Sequence, residues 1–459
     1  MTQPSPGARP RGAPAGRCAR PQWGGQRRAP SRRWITLRSV YRLRKLTVRQ
    51  FRGLNGKASF EFGDRYHLVV GTNGGGKTNL LRLVAMVTQL DFSALSGESF
   101  DVSWEGAWDT GGRIDGQVRR VQARPTTMAH VGRGAEPHSP SRASWNWSVT
   151  LTFPGVKPIT LSARRQGGLS GGEGDPTNLG GSSIQMPLVM KLFDDDSDAA
   201  VRFFEAFGFR AAESLESFAA LVEPGSHSPD SLGTPAFEPR VLATEGQEPS
   251  AGGFGLDEGA KSWASVVAAG QTASLRGDQL AWIDAVRRDL SAADIAIEPS
   301  LREKETTPRS SSQPEVTEFR FSGCNLLLRL SPRLQVHHDL LSYGQKRLIG
   351  LRYHLATSPE APAIIDELSN GLHHGWVESL IRDLEGRQSF LATQNPLVMD
   401  HVWWENADEC GRGIIICKQD SDHRWRWRQL GGGEGLRFHQ AWTAGVQHVH
   451  EVLMTEGWW

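Results

Sequence analysis

The segment Gly71-Thr72-Asn73-Gly74-Gly75-Gly76-Lys77-Thr78 constrains the fold more than any other stretch of this chain. Its spacing, Gly-x4-Gly-Lys-Thr, is that of a phosphate-binding loop, which functions only between a strand and a helix. Both flanks comply. His67-Leu68-Val69-Val70 is a short apolar run that predicts a buried strand, and Leu80–Val87 predicts a mostly buried helix. Glycines let backbone N–H groups turn inward around phosphate oxygens, and the following helix N-terminus adds a favourable dipole. Lys77 is placed to neutralise β- and γ-phosphate oxygens, and the Thr78 hydroxyl to ligate Mg²⁺. Gly71, Asn73, Gly74, Gly75, Gly76, Lys77, Thr78 and Asn79 form the expected ATP-binding set.

A metal at such a loop needs a second oxygen donor. Ala363-Ile364-Ile365-Asp366-Glu367 supplies it: a buried strand carries Asp366 to the sheet edge as a direct or water-mediated Mg²⁺ ligand. Glu367 follows as the residue positioned to polarise an attacking water. An acidic strand end alone is common and usually structural; paired with the phosphate loop it becomes informative. A third element, Leu341-Ser342-Tyr343-Gly344-Gln345-Lys346-Arg347, precedes a predicted helix and lies 24 residues before Asp366, counted from Ser342. Leu169-Ser170-Gly171-Gly172-Glu173 is similar by letter but sits in a glycine-rich run with no helix behind it, and is read as low-complexity loop.

Taken together, these segments resemble the RecF/SMC/OLD-like branch of ABC-type P-loop ATPases, the AAA family ATPases of bacterial DNA repair and anti-phage defence. Phe51-Arg52-Gly53, Asn79-Leu80-Leu81, the Ser342-Tyr343-Gly344-Gln345 signature and Asp366-Glu367-Leu368-Ser369-Asn370-Gly371-Leu372-His373-His374 carry the likeness, over roughly residues 41–90 and 318–459. The resemblance implies Arg52 near the phosphates and Asn370, Gly371 and His373 at a dimer interface. It also implies that Ser342, Tyr343, Gly344 and Gln345 contact the γ-phosphate held by a second subunit, so that a homodimer closes around two ATPs. His374 stands where the branch has proline, and Thr393-Gln394-Asn395-Pro396 where it has Thr-His-Ser-Pro. Gln394 can hydrogen-bond a phosphate or water but carries no imidazole charge, which points to slow hydrolysis with Glu367 and Gln394 as the catalytic pair. Transport-type ABC subunits resemble the set less: 265 residues separate Lys77 from Ser342. An ATP-holding regulator with little turnover is a further alternative. Only 63 residues follow Pro396, too few for a TOPRIM-type nuclease domain, so a nuclease or other effector is expected to be a separate partner, with DNA or RNA as a candidate ligand. No Q-loop glutamine is assigned; Gln89 lies too close to the loop.

The expected fold class is α/β, an ATPase head assembled from the two ends of the chain around a partly disordered helical insertion. The boundaries expected are a basic extension at 1–39, an N-terminal lobe at 40–95, an insertion at 96–315 and a C-terminal lobe at 316–459. Within the insertion, Ser144–Phe153 and Ile159–Ala163 predict a hairpin, Met186–Val222 and Leu275–Leu290 predict helices, and Gly167–Ser183 and Glu223–Gly255 predict loops.

Charge matters only for the head of the chain. Of 52 basic residues 15 lie in the first 60 positions, which hold none of the 50 acidic ones. Residues 1–39 are Arg/Pro/Gly/Ala-rich without periodicity. We read them as sequence upstream of a true start near Val40 or Leu43, the alternatives being a nucleic-acid-binding arm or a transit peptide. Cys18, Cys324, Cys410 and Cys417 show no CxxC spacing and suit reduced thiols of a cytoplasmic protein. No apolar run is long enough to cross a membrane, so no membrane partner is expected. Arg424-Trp425-Arg426-Trp427-Arg428 is read as an outer strand with both Trp packed inward, in preference to a base-stacking platform. The pairs His337-His338 and His373-His374 lack metal-type spacing and are read as structural.

Overall fold

The computed structural model describes residues 40–92, 95, 98–121, 144–155, 157–166, 240–252, 260–271, 274–277, 279–308, 314–357, 361–445 and 448–458. The expectations for 1–39, 167–183 and 186–222 lie outside the described residues.

The described chain begins with an antiparallel sheet in which β1 (Tyr41–Phe51), β2 (Ala58–Glu61), β4 (Phe100–Trp108), β5 (Arg113–Val121), β6 (Ser144–Thr152) and β7 (Ile159–Gln166) are ordered β2-β1-β4-β5-β6-β7. Strict alternation builds it: in β4 every second residue from Phe100 to Trp108 is buried while those between are half-exposed. Strands β4 and β5, counted above with the insertion, extend the sheet that β1 begins. The expected hairpin is present, β6 pairing with β7 from Ser144↔Gln166 to Leu151↔Ile159.

A second, mostly parallel sheet runs β13-β14-β3-β15-β16, formed by β3 (Tyr66–Val70), β13 (Ala363–Ile365), β14 (Ser389–Ala392), β15 (Ile414–Gln419) and β16 (Trp425–Gln429). Strands β3 and β14 are buried along their whole length because both faces are covered. Helix α1 (Lys77–Gln89) packs Leu80, Leu83, Val84 and Val87 between this sheet and the inner face of the antiparallel one. The other face is covered by side chains such as Leu348, Leu380, Ile381 and Phe438. Gln388, 2% exposed, joins the sheets: its amide accepts from Leu43 N–H (2.9 Å) and donates to Leu43 O (2.8 Å) and Gly63 O (2.7 Å).

The third sheet is ordered β10-β11-β8-β9, with β12 (Leu334–His337) also paired to β11. It comprises β8 (Arg240–Thr244), β9 (Ser250–Gly252) and the long pair β10 (Asp294–Thr307) and β11 (Val316–Ser331), which spans the boundary drawn near residue 315. Two readings are corrected here. Residues 223–255 are not loop throughout, since Arg240–Thr244 pairs along β11 and buries Val241 against the core that holds Trp263. That pairing overrides a Pro/Ser/Gly-rich composition, as strand formation depends on its neighbours more than on intrinsic preference. The helix expected over 275–290 starts only at Ala281, because Leu275 exchanges both backbone hydrogen bonds with Ile297 instead. Before it comes α2 (Ala260–Ala268); α3 (Ala281–Asp289) then docks on α4 (Tyr343–Thr357) and α5 (His374–Asp383). Nearly buried Arg352 of α4 donates to Asp289 Oδ2 (2.7 Å), Ser379 Oγ (2.7 Å) and Asp383. No described helix is long and apolar enough to cross a membrane.

Candidate functional site

Strands β3, β13 and β14 run parallel, so the segments that follow their carboxyl ends gather at one edge of the sheet. In open α/β sheets that edge is where ligands bind. It carries the Gly71–Thr78 loop after β3, Asp366-Glu367 after β13 and Thr393-Gln394 after β14.

The loop is backed by β15. Gly71 has φ 140°, and a Cβ there would stand 1.8 Å from Cys417 O, so no side chain fits. Cys417 itself is a packing residue, its thiol pushed up by burial. Lys77 is 6% exposed and its ammonium donates to Gly71 O (2.9 Å) and Thr72 O (3.2 Å), folded over the loop it would serve. Helix α1 has no acidic residue in its first turn, leaving its N-terminal dipole available to an anion. Thr72, Asn73 and Gly74 are exposed, and Thr78 and Asn79 are partly so.

From beneath, β16 braces the loop. Trp425 and Trp427 stack with centroids 5.7 Å apart and planes 11° apart, and the Trp427 indole donates to Gly75 O at 3.1 Å. Gly76 lies against Trp425, where a Cβ would meet the ring at 2.8 Å. The inward-Trp reading of 424–428 therefore holds, with Arg424, Arg426 and Arg428 exposed. Trp427→Phe keeps the stack and removes the donor. It is expected to lower unfolding free energy by about 1–2 kcal/mol, read by urea denaturation, because Gly75 O is left without its partner.

Arg52 occupies the turn after β1 in the left-handed region, φ 42°, an uncommon state for a residue with a side chain. Its guanidinium donates to Glu98 through Nε (2.8 Å) and Nη2 (3.1 Å), and through Nη1 to Asn79 Oδ1. The structure thus brings Arg52 to the first turn of α1, with its charge paired to a carboxylate that the sequence reading did not mark.

After β13, Glu367 also has a left-handed backbone, φ 49°, and its carboxylate accepts from Gln394 Nε2 at 2.6 Å. The turn is held from the inside by Arg347, 2% exposed, which donates to Asp366 O (2.9 Å), Asn370 O (2.8 Å) and Glu367 O. Burial pushes the Arg347 guanidinium down from its usual value, yet arginine starts so high that it stays charged. Arg347 closes the run that begins at Leu341. Its signal in sequence is faint, an arginine one residue before the buried Leu348.

Ser342 caps α4. Its Oγ accepts from Gln345 N–H (3.3 Å) while Gln345 Oε1 accepts from Ser342 N–H (2.9 Å), a reciprocal capping box. Tyr343, 46% exposed, leans on Gly371, where φ is 72° and a Cβ would meet the ring at 2.4 Å. A Cβ on Gly344 would likewise meet Gly371 O, at 2.1 Å. Ser342, Tyr343, Asn370, Gly371 and His373 are all exposed in this chain. Gln89 is buried at the end of α1. His337, His338 and Asp339 offer ligand atoms within 4.8 Å of one another. His338 Nδ1 already accepts from Leu326 N–H (3.1 Å), which leaves Nε2 protonated toward Asp339 and works against a metal there.

Residues 273–400 match the family model described as "AAA domain, putative AbiEii toxin, Type IV TA system". No curated protein matches the chain. Among solved structures it is similar to an Smc head bound to the C-terminal winged-helix domain of ScpA, at 13% identity and TM-score 0.38 over 85% of this chain and 97% of that one. It is also similar to an SMC head domain from Thermotoga maritima, at 11% identity and TM-score 0.30 over 85% and 99%. A third is an Smc head with an extended coiled coil bound to the C-terminal domain of ScpA, derived from Pyrococcus furiosus, at 12% identity and TM-score 0.38 over 88% and 100%. The family match covers residues 273–400, which are thus similar to an AAA domain, and the described residues form a mixed α/β fold.

Proposed function

We propose that this protein binds Mg²⁺-ATP at Gly71–Thr78, hydrolyses it slowly, and closes as a homodimer around two nucleotides. One observation carries the reading: the loop and Asp366-Glu367 follow parallel strands of one sheet, and the strand between them delivers Gln394 onto Glu367. Lys77 would exchange its two carbonyl partners for phosphate oxygens. Thr78 and Asp366 are hard oxygen donors of the kind Mg²⁺ takes, and the ion would offset phosphate charge. Glu367, oriented by Gln394, would accept a proton from the attacking water. Gln394 is neutral and cannot assist as an imidazole does, hence the slow turnover and a second reading as an ATP-holding switch. Support for the dimer is the exposed capping-box end of α4, whose backbone donors and dipole suit a phosphate supplied by another copy. We place the protein with nucleic-acid repair or anti-phage defence switches that act through a separate effector.

Glu367→Gln keeps the hydrogen-bonding shape and removes the base. With Mg²⁺-ATP it is expected to shift the light-scattering mass from that of the 50.5 kDa chain to twice that value. A mass that stays at one chain while ATP is demonstrably bound would overturn the dimer.

A further inference from the structure

Lys77 is the cation built into the loop, and Arg52 stands beside the helix turn that follows it. Two of the Arg52 nitrogens engage Glu98 as a fork, at 2.8 and 3.1 Å, and the third group reaches Asn79 Oδ1. Asn79 directly follows Thr78, so Arg52 is tethered to the first turn of α1. The guanidinium also lies over the Phe51 ring, its Cζ 5.3 Å from the centroid. The pair is only partly open to water, with side chains 24% and 37% exposed. A carboxylate and a phosphate engage the guanidinium fork in the same bidentate manner, so they compete for it.

We propose that Glu98 is a positioning and specificity-determining residue, which holds Arg52 until the terminal phosphate of a nucleoside triphosphate takes its place. This rests on the reading that Gly71–Thr78 binds ATP. Asn79 keeps the guanidinium at the loop during the exchange, because its side chain accepts from Nη1, the group Glu98 leaves alone. The left-handed backbone of Arg52 is consistent with a residue held in place for a task, since such strain persists where surrounding contacts enforce it. Glu98 lies two residues before β4, so its release is passed to the strand that pairs directly with β1. A diphosphate, lacking the competing group, leaves the Arg52–Glu98 pair intact. Glu98 thereby sets how strongly ATP is preferred over ADP, and a carboxylate there weakens ATP binding.

The test is calorimetric titration of the full chain with Mg²⁺-ATP and Mg²⁺-ADP. Glu98→Gln is expected to tighten ATP by about tenfold, the scale of one charge-assisted pair, with ADP unchanged. In the Arg52→Ala background the same change should do nothing to ATP affinity. Weaker or unchanged ATP binding by Glu98→Gln, or equal tightening of ATP and ADP, would overturn the inference while wild-type ATP binding stands. Failure of the wild-type chain to bind ATP would overturn the underlying reading and this inference with it. Thermal melting of each variant separates these outcomes from a loss of fold.

Discussion

Lys77→Ala is expected to weaken Mg²⁺-ATP binding by at least about a hundredfold, the loss of a charge-assisted contact to a doubly charged oxygen cluster. The side chain is 6% exposed and lies over the loop, so its charge acts where water screens it poorly. Without nucleotide its ammonium is satisfied by Gly71 O and Thr72 O. Truncation frees those carbonyls, one of them on the exposed Thr72, which water can serve at little cost in stability. The melting temperature should therefore stay within a few degrees of wild type while affinity collapses. Titration calorimetry reads the affinity and circular dichroism the fold. Retained ATP affinity in a folded Lys77→Ala protein would remove the central claim.

Much of this site was legible because its chemistry is local. Gly71 to Thr78 specifies a strand, a loop and a helix within one short run, and the three-residue strand Ala363–Ile365 places Asp366 at the sheet edge without long-range information. The alternation in Arg424–Arg428 likewise predicts which face the tryptophans take, though not that they seat under Gly75 and Gly76. What sequence could not show is pairing across long separations. Glu98 meets Arg52 across 46 positions, and Arg347 meets Asp366 across 19, with no period or spacing to announce either. The same limit hid β8, whose partner strand begins more than 70 residues later. The seat of Tyr343 was hidden in the same way: its ring lies on Gly371, where the missing side chain leaves room for it.

Arg347 offers the sharper test of how signature and acidic turn communicate. Its fork spans three carbonyls, those of Asp366, Glu367 and Asn370, from a helix whose first residue is Tyr343. Arg347→Met fills similar space without donors. Leaving three part-buried carbonyls without their charged donor is expected to cost about 2–4 kcal/mol of unfolding free energy, read by urea denaturation. Arg347→Lys should recover little of it, since a single ammonium cannot reproduce the planar fork. The functional consequence follows from Glu367. Its left-handed backbone costs on the order of 1–3 kcal/mol and persists only while its surroundings enforce it. Without the clamp the turn relaxes and Glu367 leaves Gln394, 2.6 Å away in the intact protein. Phosphate release should then fall by about tenfold or more, because a displaced base loses the alignment on which proton transfer depends. ATP affinity should change little, since Arg347 donates to none of the residues of the Gly71–Thr78 loop among the described contacts. If turnover in folded Arg347→Met matches wild type, the clamp is structural only and the signature helix does not position the base.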